Sequence, residues 1–198
     1  MKTTKATWRW LLLPWLLGGP AARAHDPFLS FTDVYLRTDE MEVDCSFARF
    51  TAARLLLENP AAAMAPPVLS EGSIDGYVPA LKKVGQNLFE VTAGGKTLAP
   101  REVDVELNEE GDGVDFTIIY PRPPAGPLRF AAVYVKRLPD DGYGTALTVF
   151  DSDQQVVGSD DNLDMENLAL SVQAPPPMAK PAVAAAGQSV PGASPLPR

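Results

Sequence analysis

Apolar and polar side chains alternate through residues 31–48. FTDVYLR is followed by Thr38-Asp39-Glu40 and then by MEVDCSF, where Met41, Val43, Cys45 and Phe47 alternate with Glu42, Asp44 and Ser46. A period of two belongs to a half-buried strand, so this stretch predicts a hairpin. The period changes over 50–58, FTAARLLLE. Phe50, Leu55, Leu56 and Leu57 with alanines between them predict a short helix, ended by Asn59-Pro60. Residues 61–77 are poorly patterned. VPALKKVG, 78–85, predicts a second short helix with Pro79 in its first turn. From Asn87 onward the pattern is that of strands: LFEVTAG with its Gly94-Gly95 turn, EVDVELN (102–108), VDFTIIY (114–120), LRFAAVYV (128–135), TALTVF (145–150) and ENLALSV (166–172). Spacing and turn chemistry predict a mainly β fold, an antiparallel β-sandwich of about seven or eight strands with one short two-helix insertion.

The two ends of the chain follow other patterns. Residues 1–24 begin with Lys2, Lys5 and Arg9 and no acid, continue with the apolar run Leu11–Leu17, and close on Ala22-Arg23-Ala24. These are the three parts of a secretory signal peptide. The apolar run is too short for a membrane span. The expected product is a mature chain that starts at His25, and N-terminal sequencing of the exported protein checks it; any other start removes the chelate described below. The protein is then exported, to the periplasm or to the cell surface or medium. Residues 173–198 hold seven prolines, no acid and no aromatic residue. Such a composition cannot bury enough surface to offset its ordering entropy, which predicts a disordered tail. The folded domain is therefore expected over 25–172, with no transmembrane segment in the mature chain.

Charge narrows the partners. The full chain has 17 Lys and Arg against 25 Asp and Glu. Loss of the four basic residues in 1–24 leaves 13 against 25, a net charge of −12. That balance excludes nucleic acid, whose phosphates require clustered Lys and Arg, and opposes anionic membrane surfaces. The one cysteine, Cys45, has no partner for an internal disulfide, so the core must hold the fold. Its place on the apolar side of a strand marks it as a small buried hydrophobe.

Three places could carry chemistry. His25, the one histidine, would begin the mature chain, where its amine and imidazole form a chelate suited to Cu(II) or Ni(II), with Asp26 beside it. The plain alternative is a leader cut that happens to fall there. The stretch DSDQQVVGSDDNLDMEN, 151–167, offers Asp151, Asp153, Asp160, Asp161 and Asp164 as hard oxygen ligands for Ca2+. The alternative is that these residues form turns through their own side chains. Between the two helices, Ser70-Glu71-Gly72-Ser73-Ile74-Asp75-Gly76 has the outline of a calcium loop but lacks its run of Asp and its closing Glu. With one histidine at the chain start, no Ser-His-Asp set can form, and there is no phosphate loop or dinucleotide fingerprint. The residues predict a protein that is not an enzyme.

The run of motifs AHDPFLS, SFAR, GGKTLAP, DVEL and RLPDDGYGTALTVFDSDQQVV resembles a family of bacterial exported domains. These often precede the multi-helix membrane part of HupE/UreJ-type proteins, regarded as nickel or cobalt permeases or as hydrogenase and urease accessory proteins. The resemblance covers 25–172. It implies an exported location, this fold and a link to metal handling, with a membrane permease or another envelope protein as partner. It also implies that 66–77 is a decayed form of an Asp-rich loop found in the family. Permease activity does not carry over, because no membrane segment follows the domain. The expected function is thus an exported, non-catalytic binding or accessory domain linked to transition-metal handling. The alternatives are a copper-binding protein or copper-dependent oxidoreductase using His25, and a structural interaction domain presented at the surface.

Overall fold

The computed structural model of the protein describes residues 29–60, 64–108, 111–139 and 142–177. His25, Asp26, the predicted signal segment 1–24 and residues 178–198 lie outside them. The hairpin is present as β1 (Leu29–Leu36) and β2 (Glu40–Ala48), followed by helices α1 (Arg49–Leu55) and α2 (Val78–Gly85). Then come β3 (Glu90–Ala93), β4 (Lys96–Leu98), β5 (Glu102–Leu107), β6 (Gly113–Pro121), β7 (Gly126–Ala131), β8 (Gly144–Phe150), β9 (Val156–Leu163) and β10 (Ala169–Ala174). They form two sheets, one of six strands in the order β5-β6-β2-β1-β8-β9 and one of four in the order β10-β7-β3-β4. The fold is mainly β, as the periodicity predicts. No helix among the described residues is long and apolar enough to cross a membrane.

Three local expectations need correction. The first is that the larger sheet is mixed: β1 and β8 run parallel, with Leu29 opposite Gly144 and Tyr35 opposite Phe150. Strand β7 belongs to the other sheet, so the chain crosses between layers and enters β8 at the end where β1 also begins. Second, the strand expected over 128–135 stops at Ala131 and becomes a 3-10 turn, Val133–Arg137. The turn carries Tyr134 out of the sheet and into the core, where it is 1% exposed. Finally, there are ten strands among the described residues. Strand β4 is the short return of a hairpin closed by Gly94 and Gly95, both at positive φ (55° and 79°), as a two-residue primed turn demands. Strand β9 occupies the acidic stretch that reads as a loop. It is an edge strand, and edges tolerate polar residues on both faces.

One core fills the space between the sheets. Phe47 meets the rings of Phe116 and Tyr134 edge-on, with centroids 5.5 and 5.0 Å away, and Phe89 meets Tyr134 at 5.9 Å. Gly85 lets α2 lie directly on this core. A β-carbon there would stand 2.6 Å from Val103 Cγ1 and 3.1 Å from the Phe116 ring. Gly158 does the same where the sheets meet at β9 and β10; its β-carbon would stand 2.3 Å from Val172 Cγ1. The inward face of β1 carries two hydroxyls. Ser30 Oγ lies 2.5 Å from the Tyr134 hydroxyl and donates to the Gly144 carbonyl at 3.1 Å, while Thr32 and Thr145 Oγ1 atoms are 3.0 Å apart. These bonds pin β1 to β8 and satisfy polar groups that burial would otherwise leave costly.

Candidate functional site

Alternation decides which side chains leave the core. The outward positions of β1 hold Phe31, Asp33 and Tyr35; those of β2 hold Glu42, Asp44 and Ser46; those of β6 hold Asp115, Thr117 and Ile119; those of β5 hold Glu102, Asp104 and Glu106. Register aligns them in rows. Glu106, Asp115, Ser46 and Phe31 form one row, and Asp104, Thr117, Asp44 and Asp33 form the next. Glu102, Ile119, Glu42, Tyr35 and Phe150 form the third. Seven carboxylates thus share one face with aromatic side chains. The Tyr35 and Phe150 rings stack at 5.2 Å and 13°, and Phe31 is 49% exposed.

The charges on this face are only partly offset. Arg37 pairs with Glu42 and lies 5.4 Å from the centre of the Tyr35 ring, and Lys82 reaches Asp104 at 3.0 Å. Those cations sit at the margins. In the middle, Asp33 and Asp44 stand directly opposite each other on neighbouring strands. Burial raises the pKa of Asp33. Burial also raises that of Asp44, with Glu42 and Asp33 adding to it and a hydrogen bond from the Thr117 hydroxyl opposing it. The Asp44 Oδ1 atom is buried without a hydrogen-bond partner among the described residues. Asp115 accepts a 2.5 Å bond from Ser46 Oγ. These groups line a depression of about 370 Å3 that also holds Phe31, Glu106 and Thr117. By contrast, Cys45 points inward, where burial pushes its thiol pKa well above the ordinary value.

The residues named from the sequence lie elsewhere. His25 and Asp26 are outside the described residues. Asp151 and Asp153 sit in the β8–β9 turn, where Asp151 Oδ1 accepts the backbone N–H groups of Asp153 and Gln155, each at 2.9 Å. Asp160 and Asp161 are on β9. Asp160 accepts from the Asn162 backbone at 3.0 Å and from Asn167 Nδ2 at 2.9 Å. Asp164 accepts from Glu166 and Asn167 N–H at 2.9 and 3.0 Å, and those bonds lower its pKa, that of Asn167 most. Asp151 and Asp164 thus shape turns through their own side chains, whereas Asp160 and Asp161 belong to a strand. In the segment 66–77, Ser73 Oγ bonds back to the Val68 carbonyl at 3.0 Å and shapes a turn. Among the described residues, no three His, Cys, Asp or Glu side chains gather as metal ligands.

The predicted hairpin sets Asp33 on the strand beside Asp44, but the sequence alone does not reveal which strands extend the acidic face around that pair. The alternation in β2 turns Glu42, Asp44 and Ser46 outward, but it carries no sign of the strand order that sets β6 on the other side of β2 from β1. No protein-family model matches the chain, and no curated protein is significantly similar to it. The fold and this surface define the class: a mainly β, two-sheet domain with one acidic, aromatic-bearing sheet face.

Proposed function

We propose that this chain is an exported, non-catalytic binding domain that engages a cationic segment of another envelope protein through the outer face of its six-stranded sheet. The carrying observation is the Asp33–Asp44 pair, two opposed, half-buried carboxylates with no cation between them among the described residues. Neighbouring strands lie about 4.8 Å apart, so the carboxylates are spread along an extended surface rather than focused on one ion. A Lys or Arg head placed among them would relieve the repulsion, and its aliphatic stem would lie on Phe31 or on the Tyr35–Phe150 stack. The leader-like residues 1–24 support export. The resemblance of 25–172 to the exported domain of HupE/UreJ-type proteins supports a place beside metal uptake, as an accessory module.

The test is titration with a Lys/Arg-rich peptide at physiological salt. The triple variant Asp33→Asn, Asp44→Asn, Glu106→Gln is expected to bind at least tenfold more weakly, about 1.4 kcal/mol. Removing the same number of charges at Glu58, Glu71 and Asp75, far from this face in sequence, should leave binding unchanged. Equal losses in both variants would reduce the effect to net charge and defeat the proposal.

A further inference from the structure

The basic residues of this acidic chain are unevenly placed. Arg54 lies in the last turn of α1, Lys82 and Lys83 in the last turn of α2, and Lys136 and Arg137 in the last turn of the 3-10 helix that follows β7. These three elements meet around a groove of about 310 Å3, formed by Leu55, Leu56, Leu57 and Val84, with Lys83 and Arg137 on its walls. Arg137 lines it, and its Nη2 donates to the Leu55 carbonyl at 3.4 Å. The floor is closed, since Leu55 is 1% and Val84 9% exposed. Leu56 is partly buried against the core.

From this groove we infer a second docking site, for an acidic amphipathic helical segment of a partner protein. The volume suits one or two large apolar side chains, as in helix-in-groove recognition. The rim selects the charge: Lys83 and Arg137 would meet carboxylates flanking those apolar residues, whereas a basic helix would be repelled. A concave apolar floor between two cations favours an inserted side chain over a flat lipid surface. The groove lies at the helical end of the domain, and its docking role does not depend on the acidic sheet face.

Two synthetic peptides test it. Both carry leucine at helical i, i+3, i+4, i+7 spacing; one has glutamate at the remaining positions and the other lysine. Titration into 15N-labelled protein should show the glutamate peptide shifting the amides of Leu56, Leu57, Lys83 and Arg137. The Lys83→Glu variant should weaken that binding at least tenfold and gain affinity for the lysine peptide. Because Arg137 also holds the end of α1, Lys83→Glu is the variant of choice, with an unchanged thermal midpoint confirming its fold. The inference fails if Lys83→Glu binds the glutamate peptide as wild type does, if the shifts map elsewhere, or if vesicles of 3:7 phosphatidylglycerol to phosphatidylethanolamine perturb these amides while the peptide does not.

Discussion

Replacing Tyr134 by alanine is expected to destabilise the domain by about 3–5 kcal/mol, the usual cost of deleting a buried aromatic ring. For a domain of this size that lowers the thermal midpoint by on the order of 10 °C. Tyr134 is 1% exposed and touches two rings edge-on, Phe47 at 5.0 Å and Phe89 at 5.9 Å. Its hydroxyl also joins Ser30, which binds the start of β8 through Gly144. The ring and the hydroxyl can be separated. Tyr134→Phe keeps the aromatic contacts and leaves Ser30 its bond to Gly144, so its cost is about 1 kcal/mol. Thermal or urea unfolding of both variants reads the difference. Near-equal losses would show that the hydroxyl, not the ring, holds this junction.

Asp44→Asn is expected to act in the opposite direction and to stabilise the domain at neutral pH by about 1 kcal/mol or more. Two costs vanish together: a buried carboxylate oxygen without a donor and like charges facing across a strand pair. The pH dependence follows from the raised pKa values of Asp33 and Asp44. A carboxyl whose folded pKa is raised contributes stability that is fully present below its unfolded value, about 3.9, and is lost as pH rises through the folded value. The gain from Asp44→Asn should therefore be near zero around pH 4 and grow toward pH 7. Asp104 works the other way. Lys82 lowers its pKa, so its contribution is lost on acidification. Thermal midpoints of wild type and variant across this range test the prediction, and a difference that does not change with pH would sink it.

The acidic face is half legible in the sequence. In β2, strict alternation assigns Met41, Val43, Cys45 and Phe47 to the core and their neighbours to the outside, and burial agrees at every position. In β5, Glu102, Asp104 and Glu106 are outward in the same way. The α2 helix spans the residues its pattern predicts, because Pro79 near the start and Leu81, Val84 and Gly85 on one side leave little freedom. Polar strands are harder to read. In β9, Ser159, Asp160, Asp161 and Asn162 show no apolar period, since this edge strand is anchored near its two ends, by Val157 packed against the core and by Leu163 at 0% exposure. In β1, Ser30 and Thr32 point inward against hydropathy, because their hydroxyls find Tyr134 and Thr145 on other elements.

Local sequence determined the mainly β character, the hairpin of β1 and β2, the two short helices between β2 and β3, and which side of most strands carries charge. Each of these depends on side chains within a few positions of one another, through period-two alternation or a single turn. The tertiary structure alone decided the parallel pairing of β1 with β8, the entry of Tyr134 into the core, and the placing of Asp115 and Glu106 beside the Asp33–Asp44 pair of the hairpin. Those depend on contacts between residues far apart in the chain. Strand order is chosen by how two apolar faces close over a shared core, and that choice leaves no periodic trace in any one segment.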